Sequence, residues 1–235
     1  MIKSYTASIY KTILKAVQHQ EKLLSILVDP DKFELHKTEA FLKSLPFSNN
    51  FILVGGSQVK DGATELVVEE LKKHTKLPVV LFPGDVNQIT ENADSILFLS
   101  LLSGRNPEYL INQQVKSISK LQYSSLEIIP TGYILIDGGN SSSVLEISQT
   151  KAIPQNQIST IVHTALAGQF SGKKLIYLEA GSGARFPVSA EIISEVKNNI
   201  NLPLVVGGGI KTELQKEIAY QAGADIIVMG NAFEL

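Results

Sequence analysis

Apolar residues fall in eight short runs along the chain. They are LLSILV (23–28), FILV (51–54), VVLF (79–82), SILFLS (95–100), GYILI (132–136), LIYLE (175–179), PLVV (203–206) and DIIVM (225–229). Most are continuous rather than alternating, as in strands buried on both faces of a parallel sheet. Between most of them lie stretches of helical periodicity, such as TELVVEELKKH, PEYLINQQVKSISKL, AEIISEVKNN and TELQKEIAYQA. Eightfold alternation of strand and helix predicts an α/β fold, a (β/α)8 TIM barrel, which typically takes about 250 residues. A doubly wound open sheet is the alternative. An internal echo favours the barrel. LPVVLFPGD (77–85) resembles LPLVVGGGI (202–210), and each is expected to lead through a helical stretch to ADSILF (93–98) or ADIIVM (224–229).

Three regions stand apart from the repeat. Near the N-terminus, Ile9, Ile13, Leu14 and Val17 fall on one face of an expected amphipathic helix. After the fifth run, DGGNSSSVLEISQTKAIP is mostly loop-like, and loops of that length in compact domains are often functional. The chain then ends in GNAFEL, directly after the eighth run, where a barrel would carry one more helix. Either that helix lies outside this sequence or the N-terminal helix covers the gap. A single barrel domain over residues 1–235 is expected.

The bulk composition narrows the class. Of 235 residues, 44% are hydrophobic and 19% charged, enough for a large core and against disorder. The net charge of -2 and the lack of a long basic run argue against nucleic acid as the main partner. There are no cysteines, which removes disulfides and thiolate metal sites. No apolar run reaches the roughly 18 residues of a membrane span, and Lys11 and Lys15 interrupt the N-terminal segment. A cytoplasmic protein is expected, and transient contact with a membrane surface is compatible with this composition.

In such barrels the active site lies at the C-terminal ends of the strands. Those ends here are DPDK (29–32), GGSQ (55–58), PGD (83–85), LSGRN (102–106), DGG (137–139), EAGSG (179–183), GGGI (207–210) and GN (230–231). Glycine-bearing loops let backbone N–H groups approach and cradle an anion. Three of them, after strands 6, 7 and 8, point to a phosphate site. Asp29 precedes Pro30 and reads either as a turn aspartate or as a Mg²⁺ ligand, since Mg²⁺ commonly takes one or two carboxylates and completes its shell with water and phosphate. Ser57 stands on the neighbouring loop with a hydroxyl for metal or phosphate. Glu179 ends an apolar strand, where an unpaired buried charge is costly. A substrate hydroxyl and Tyr177, two residues back on the same side of the strand, are its expected neighbours. None of His19, His36, His74 and His163 ends a strand, and no lysine does, so histidine acid–base and Schiff-base chemistry are disfavoured.

Together VDPDK, VGGS, LSGRNPEYLI, GYILIDGG, YLEAGSGA, VVGGGIKT and GADIIVMGNAFE resemble the geranylgeranylglyceryl phosphate synthase family and its bacterial relatives, from about residue 24 onward. The resemblance implies a modified TIM barrel. It implies transfer of a long prenyl group, geranylgeranyl in the first instance, from its diphosphate to the 3-hydroxyl of sn-glycerol 1-phosphate, with Mg²⁺. Asp29 and Ser57 would hold the metal. Tyr177, Leu178, Glu179, Ala180, Gly181, Ser182 and Gly183 would bind glycerol phosphate, with Glu179 and Tyr177 catalytic. Gly207, Gly208, Gly209, Gly230 and Asn231 would complete the phosphate cup. A partly open apolar groove for the tail and a homo-oligomer are expected as well. Leu27 departs from those members that carry a lysine two residues before the aspartate. The competing readings are another barrel enzyme acting on a small phosphorylated substrate, and a non-catalytic binder of phosphorylated lipids.

Overall fold

The computed structural model describes residues 8–46 and 48–230. Eight parallel strands close on themselves in chain order. They are β1 (Leu23–Val28), β2 (Asn49–Val54), β3 (Val79–Leu81), β4 (Ser95–Leu101), β5 (Glu127–Leu135), β6 (Leu175–Glu179), β7 (Leu204–Gly207) and β8 (Ile226–Met229). The helices are α1 (Ile9–Gln18), α2 (Thr38–Ser44), α3 (Ala63–His74), α4 (Gln113–Leu121), α5 (Ser143–Ser148), α6 (Ile158–Phe170), α7 (Ala190–Asn199) and α8 (Glu213–Gln221). The period-2 alternation of each strand divides the core into two layers. Leu53, Val80, Leu97, Ile129, Tyr177 and Val205 fill the barrel interior. Ile26, Ile52, Leu81, Ile134, Leu178 and Val206 pack outward against the helices.

The sequence echo has a physical counterpart. Just before β4, the Asp94 carboxylate accepts from the first N–H of β3, at Val79 (2.8 Å), and pairs with Lys72 of α3 at 2.6 Å. Just before β8, the Asp225 carboxylate accepts from the first N–H of β7, at Leu204 (2.8 Å), and pairs with Lys197 of α7 at 2.6 Å. The same clasp therefore ties helix to strand pair in both halves.

The echo stops at the next element. The connection 82–94 holds only a 3-10 turn at Val86–Gln88, where a helix was expected. Asp85 caps that turn through Asn87 N–H, and the connection is shorter than its counterpart at 208–225, which carries α8. The flank of β3 and β4 therefore lacks its covering helix. Strand β5 also differs from expectation, starting at Glu127 rather than Gly132. Pro130 lies inside it and conceals it, because proline rarely sits within a sheet strand.

Helix α1 buries Ile9, Ile13 and Ala16 in the barrel-interior cluster and so closes its N-terminal mouth. Leu14, expected on the buried face, is 41% exposed because the buried stripe is only one residue wide per turn. The helix is pinned by the Glu127 carboxylate at the foot of β5, which accepts from Ser8 Oγ, Ile9 N–H and Tyr10 N–H. This position does not cover β8 from outside, yet Ile227 and Met229 of β8 are buried in the outer layer. Within 137–154, expected as loop, residues 143–148 form α5, capped by the Ser142 side chain, and Ile153 bridges to Ile136.

Replacing Asp225 with alanine leaves Lys197 and the β7 N–H without their acceptor. The expected loss is about 3 kcal/mol, or roughly 6–12 °C in melting temperature for a domain of this size. Calorimetric unfolding of Asp225→Ala measures it, and an unchanged melt would show the clasp to be dispensable.

Candidate active site

The C-terminal mouth of the barrel opens into a cavity of about 490 Å³. On one side lies the end of β6. Tyr177 and Glu179 point inward, and both line the cavity. Glu179 is only 7% exposed, and its Oε1 accepts from Gly181 N–H at 2.7 Å. Burial raises its pKa from the usual 4.5 to about 7, against the lowering effect of the Gly181 bond and of the nearby Tyr177 hydroxyl. That hydroxyl lies close to the carboxylate without a well-aligned hydrogen bond. Burial and the Glu179 charge hold both Tyr177 and Tyr133 well above the usual tyrosine range, so both phenols stay protonated.

This packing requires glycine on β7. A Cβ at Gly207 would stand 2.4 Å from Tyr177 Oη and 2.9 Å from Glu179 Oε2. At Gly208, where φ is +78°, it would stand 2.3 Å from Glu179 Oε1. Ser182, Gly183, Gly208, Gly209 and Gly230 line the same cavity, as the phosphate reading expects. Leu178 and Ala180 do not join them. Their side chains point to the outer layer, because side chains alternate along a strand, and Ala180 N–H is spent on Gly207 O. Gly181 contributes its N–H to Glu179, and Asn231 lies outside the described residues.

Across the mouth are the loops after β1, β2 and β3. Asp29 realises its turn reading, since Oδ1 accepts from Asp31 N–H at 3.1 Å and Oδ2 pairs with Lys32 at 3.4 Å. It also lines the cavity with Ser57, its side chain 26% exposed. Gln88 is buried and clamps the backbone of Gly56, donating to its O (2.7 Å) and accepting from its N–H (3.1 Å). Gly84 lets the β3 loop approach until a Cβ would be 2.5 Å from Gly56 O.

Between these poles the wall is aromatic and apolar. Phe82 stacks on Tyr177 (centroids 5.2 Å, interplanar 15°), and Tyr133 meets Tyr177 edge-on at 5.3 Å. The cavity continues past Ile89, Phe98 and Leu99 into the flank where the helix after β3 is missing, bordered by Tyr109 and Gln114. Val144, Ile147 and Ser148 border it too, so the long segment after β5 does reach the site. Sequence reading missed Phe82, Gln88 and Tyr133. Register held the signal for Tyr133, which pairs with Tyr177 and shares its face. Among the described residues, no histidine lines the cavity.

Fold and site thus define a (β/α)8-barrel protein with glycine-bearing loops and a buried carboxylate at the mouth of a largely apolar cavity. The chain belongs to the PcrB family, whose model matches residues 17–235. It is 54% identical over 226 residues to the geranylgeranylglyceryl phosphate synthase of Zunongwangia profunda, covering 96% of this chain and 97% of that one. The synthase of Flavobacterium johnsoniae is 46% identical over 235 residues, covering 100% and 97%. The crystal structure of (S)-3-O-geranylgeranylglyceryl phosphate synthase from Thermoplasma acidophilum, in complex with its substrate sn-glycerol-1-phosphate, superposes with a TM-score of 0.88. It is 31% identical and covers 97% of this chain and 92% of that one. Thiamine phosphate pyrophosphorylase from Pyrococcus furiosus, 13% identical with a TM-score of 0.56 over 93% of this chain and 90% of that one, shares the fold alone.

The raised pKa of Glu179 has a thermodynamic consequence. Its unfolded carboxyl titrates near 4.5 and its folded one near 7, so the fold favours the protonated form. That preference acts fully below pH 4.5 and fades as the pH rises to 7. Between pH 4.5 and 8 the unfolding free energy of Glu179→Gln should therefore gain about 3 kcal/mol relative to the parent. Urea unfolding at several pH values tests this, and a pH-independent difference would mean that Glu179 is not desolvated.

Proposed function

We propose that this chain transfers a long prenyl group, geranylgeranyl in the first instance, from its diphosphate to the 3-hydroxyl of sn-glycerol 1-phosphate. The observation that carries this reading is one continuous cavity. It joins a buried carboxylate and glycine loops to an apolar groove opened by the missing helix. The bound substrate of the Thermoplasma acidophilum protein supports the same assignment. A non-catalytic binder of phosphorylated lipids would need the glycine loops but no base. Strand-end histidine and lysine, which barrel isomerases and aldolases use, are lacking among the described strand ends.

The glycine loops after β6, β7 and β8 bind the phosphate of the acceptor, and Glu179 faces its hydroxyls. With a pKa of about 7, Glu179 is substantially ionised at neutral pH and suited to take a proton. As the acceptor oxygen bonds to the first prenyl carbon, its proton passes to Glu179. The bond from that carbon to diphosphate breaks, and diphosphate keeps the electron pair. The protonated Tyr177 and Tyr133 hydroxyls remain available to orient the acceptor. Walls of Ile89, Phe98 and Leu99 exclude water from the tail.

Mg²⁺ belongs to this proposal. Among the described residues, no three histidine or carboxylate groups gather to hold a metal by themselves. A cation would then take most of its ligands from diphosphate and water, which suits Mg²⁺. Asp29 and Ser57 offer it hard oxygen donors on the cavity wall, and it would supply electrostatic relief to the departing diphosphate. No helix among the described residues is long and apolar enough to cross a membrane. A cytoplasmic site of action and a homo-oligomer complete the proposal. The oligomer rests on the family resemblance, and exposed Ile111, Val115 and Ile118 offer it an apolar surface.

Mixing both substrates with Mg²⁺ and following product by mass spectrometry, over several prenyl lengths, tests the reading. Absence of any ether product would overturn it. Glu179→Gln should slow the chemical step at least a hundredfold, about 3 kcal/mol. Single-turnover kinetics at saturating substrates separate that step from binding, and a change confined to KM would reduce Glu179 to a binding residue. Asp29→Asn should abolish Mg²⁺-dependent turnover while the circular dichroism spectrum is retained. Unchanged activity and metal titration would remove Asp29 from the metal site.

A further inference from the structure

The transfer just described leaves positive charge on the first prenyl carbon as diphosphate departs. That carbon must lie between the diphosphate side of the mouth, at Asp29 and Ser57, and the acceptor side, at Glu179. The wall between them is aromatic. Phe82 directly follows β3, and its ring stacks on Tyr177 at 5.2 Å and 15° and tilts toward Tyr133 at 5.8 Å and 53°. Tyr177 is fully buried, whereas Phe82 is half-buried and lines the cavity. Tyr177 takes one face of Phe82, Tyr133 approaches at a tilt, and the half-buried ring borders the cavity. Its backbone is fixed on both sides. Its N–H donates to Val54 O at 2.8 Å, and Gly55 approaches its carbonyl until a Cβ would be 1.9 Å away. With its backbone fixed and its ring stacked on Tyr177, Phe82 carries its negative π face as part of the cavity wall.

We propose that Phe82 is a catalytic residue of the prenyl transfer, its π system at the cavity wall stabilising the positive charge that develops on the allylic carbon as diphosphate leaves. This rests on the transferase reading above. A cation over an aromatic face in a desolvated site is attracted by the ring quadrupole. The expected contribution is about thirtyfold in rate, roughly 2 kcal/mol at 1.36 kcal/mol per decade.

Phenylalanine at position 82 is replaced in turn by its mono-, di- and trifluorinated forms, which drain the quadrupole stepwise with little change of shape. Phe82→Leu is prepared beside them, keeping apolar bulk without a π face. Single-turnover rates are measured at saturating geranylgeranyl diphosphate and sn-glycerol 1-phosphate, and binding of each by calorimetry. The logarithm of the rate should fall steadily with fluorine number, reaching about thirtyfold at three fluorines, with both affinities within a factor of about three. A flat fluorine series beside an active wild type overturns the inference alone, even if Phe82→Leu is slow or fails to fold, and returns Phe82 to packing. A wild type that releases no diphosphate overturns the transferase reading and this inference with it.

Discussion

The buried carboxylate of Glu179 sets the terms for the whole C-terminal mouth. An acid at the end of an apolar strand survives only if its neighbours yield space and supply a donor. Gly207 and Gly208 yield the space, since a Cβ at either would fall within 3 Å of the carboxylate. Gly181 supplies the donor. Even so, desolvation outweighs that bond, and the pKa settles near 7. The position is therefore unfavourable for stability and favourable for proton transfer at neutral pH, the usual exchange at a functional site. Gly208, one of the two that make room for the acid, also lines the cavity where the proposed phosphate cup lies. In the proposed reading, base and phosphate cup share one packing solution.

A second exchange takes place on the flank of β3 and β4. A regular barrel covers every strand pair with a helix. Here the connection 82–94 folds only into a 3-10 turn, and its own Ile89 and Phe98 of β4 face a cavity instead. Leaving apolar surface uncovered carries a cost of about 25 cal/mol per Å², which an apolar ligand recovers on binding. The clasp of Asp94 with Lys72 and Val79 N–H explains why the sheet tolerates the gap. It fixes the start of β3 from α3, on the far side of the missing helix. The other half of the barrel carries the same clasp and keeps its helix, so the groove is a local departure from a repeated plan.

Much of this was legible in the chain. Continuous apolar runs separated by helical stretches gave eight parallel strands. The glycine-rich strand ends marked the mouth, and Tyr177 with Glu179 fell on one face by simple alternation. Other features were not legible, for identifiable reasons. Helical periodicity cannot be judged over a segment as short as 86–94, so the echo of the two halves suggested a helix that geometry excludes. Pro130 hid the first half of β5 because proline is rare within a sheet strand. Leu178 and Ala180 belong to a contiguous motif, but a motif read as a string ignores that adjacent side chains face opposite sides of a sheet. Gln88 sits in a turn with no periodic signal, and only the contact between the β2 and β3 loops gives its amide a purpose.

Those loops bear on how the site keeps two opposing demands apart. In the proposed reaction, the diphosphate side needs cationic and hard-oxygen surroundings. The acceptor side needs a base that is desolvated enough to hold a raised pKa. Strong positive charge beside Glu179 would pull its pKa back down and weaken it as a base. The barrel separates the two across its mouth. Asp29 and Ser57 stand on the loops after β1 and β2, Glu179 ends β6, and the aromatic wall of Phe82, Tyr133 and Tyr177 lies between. An aromatic wall is suited to that place because it adds no net charge to either side, while it still presents a negative face to a transient cation. The closed order of the strands maintains the spacing. A doubly wound open sheet would have no interior in which one wall could face both poles, so barrel closure is part of the chemistry as well as of the fold.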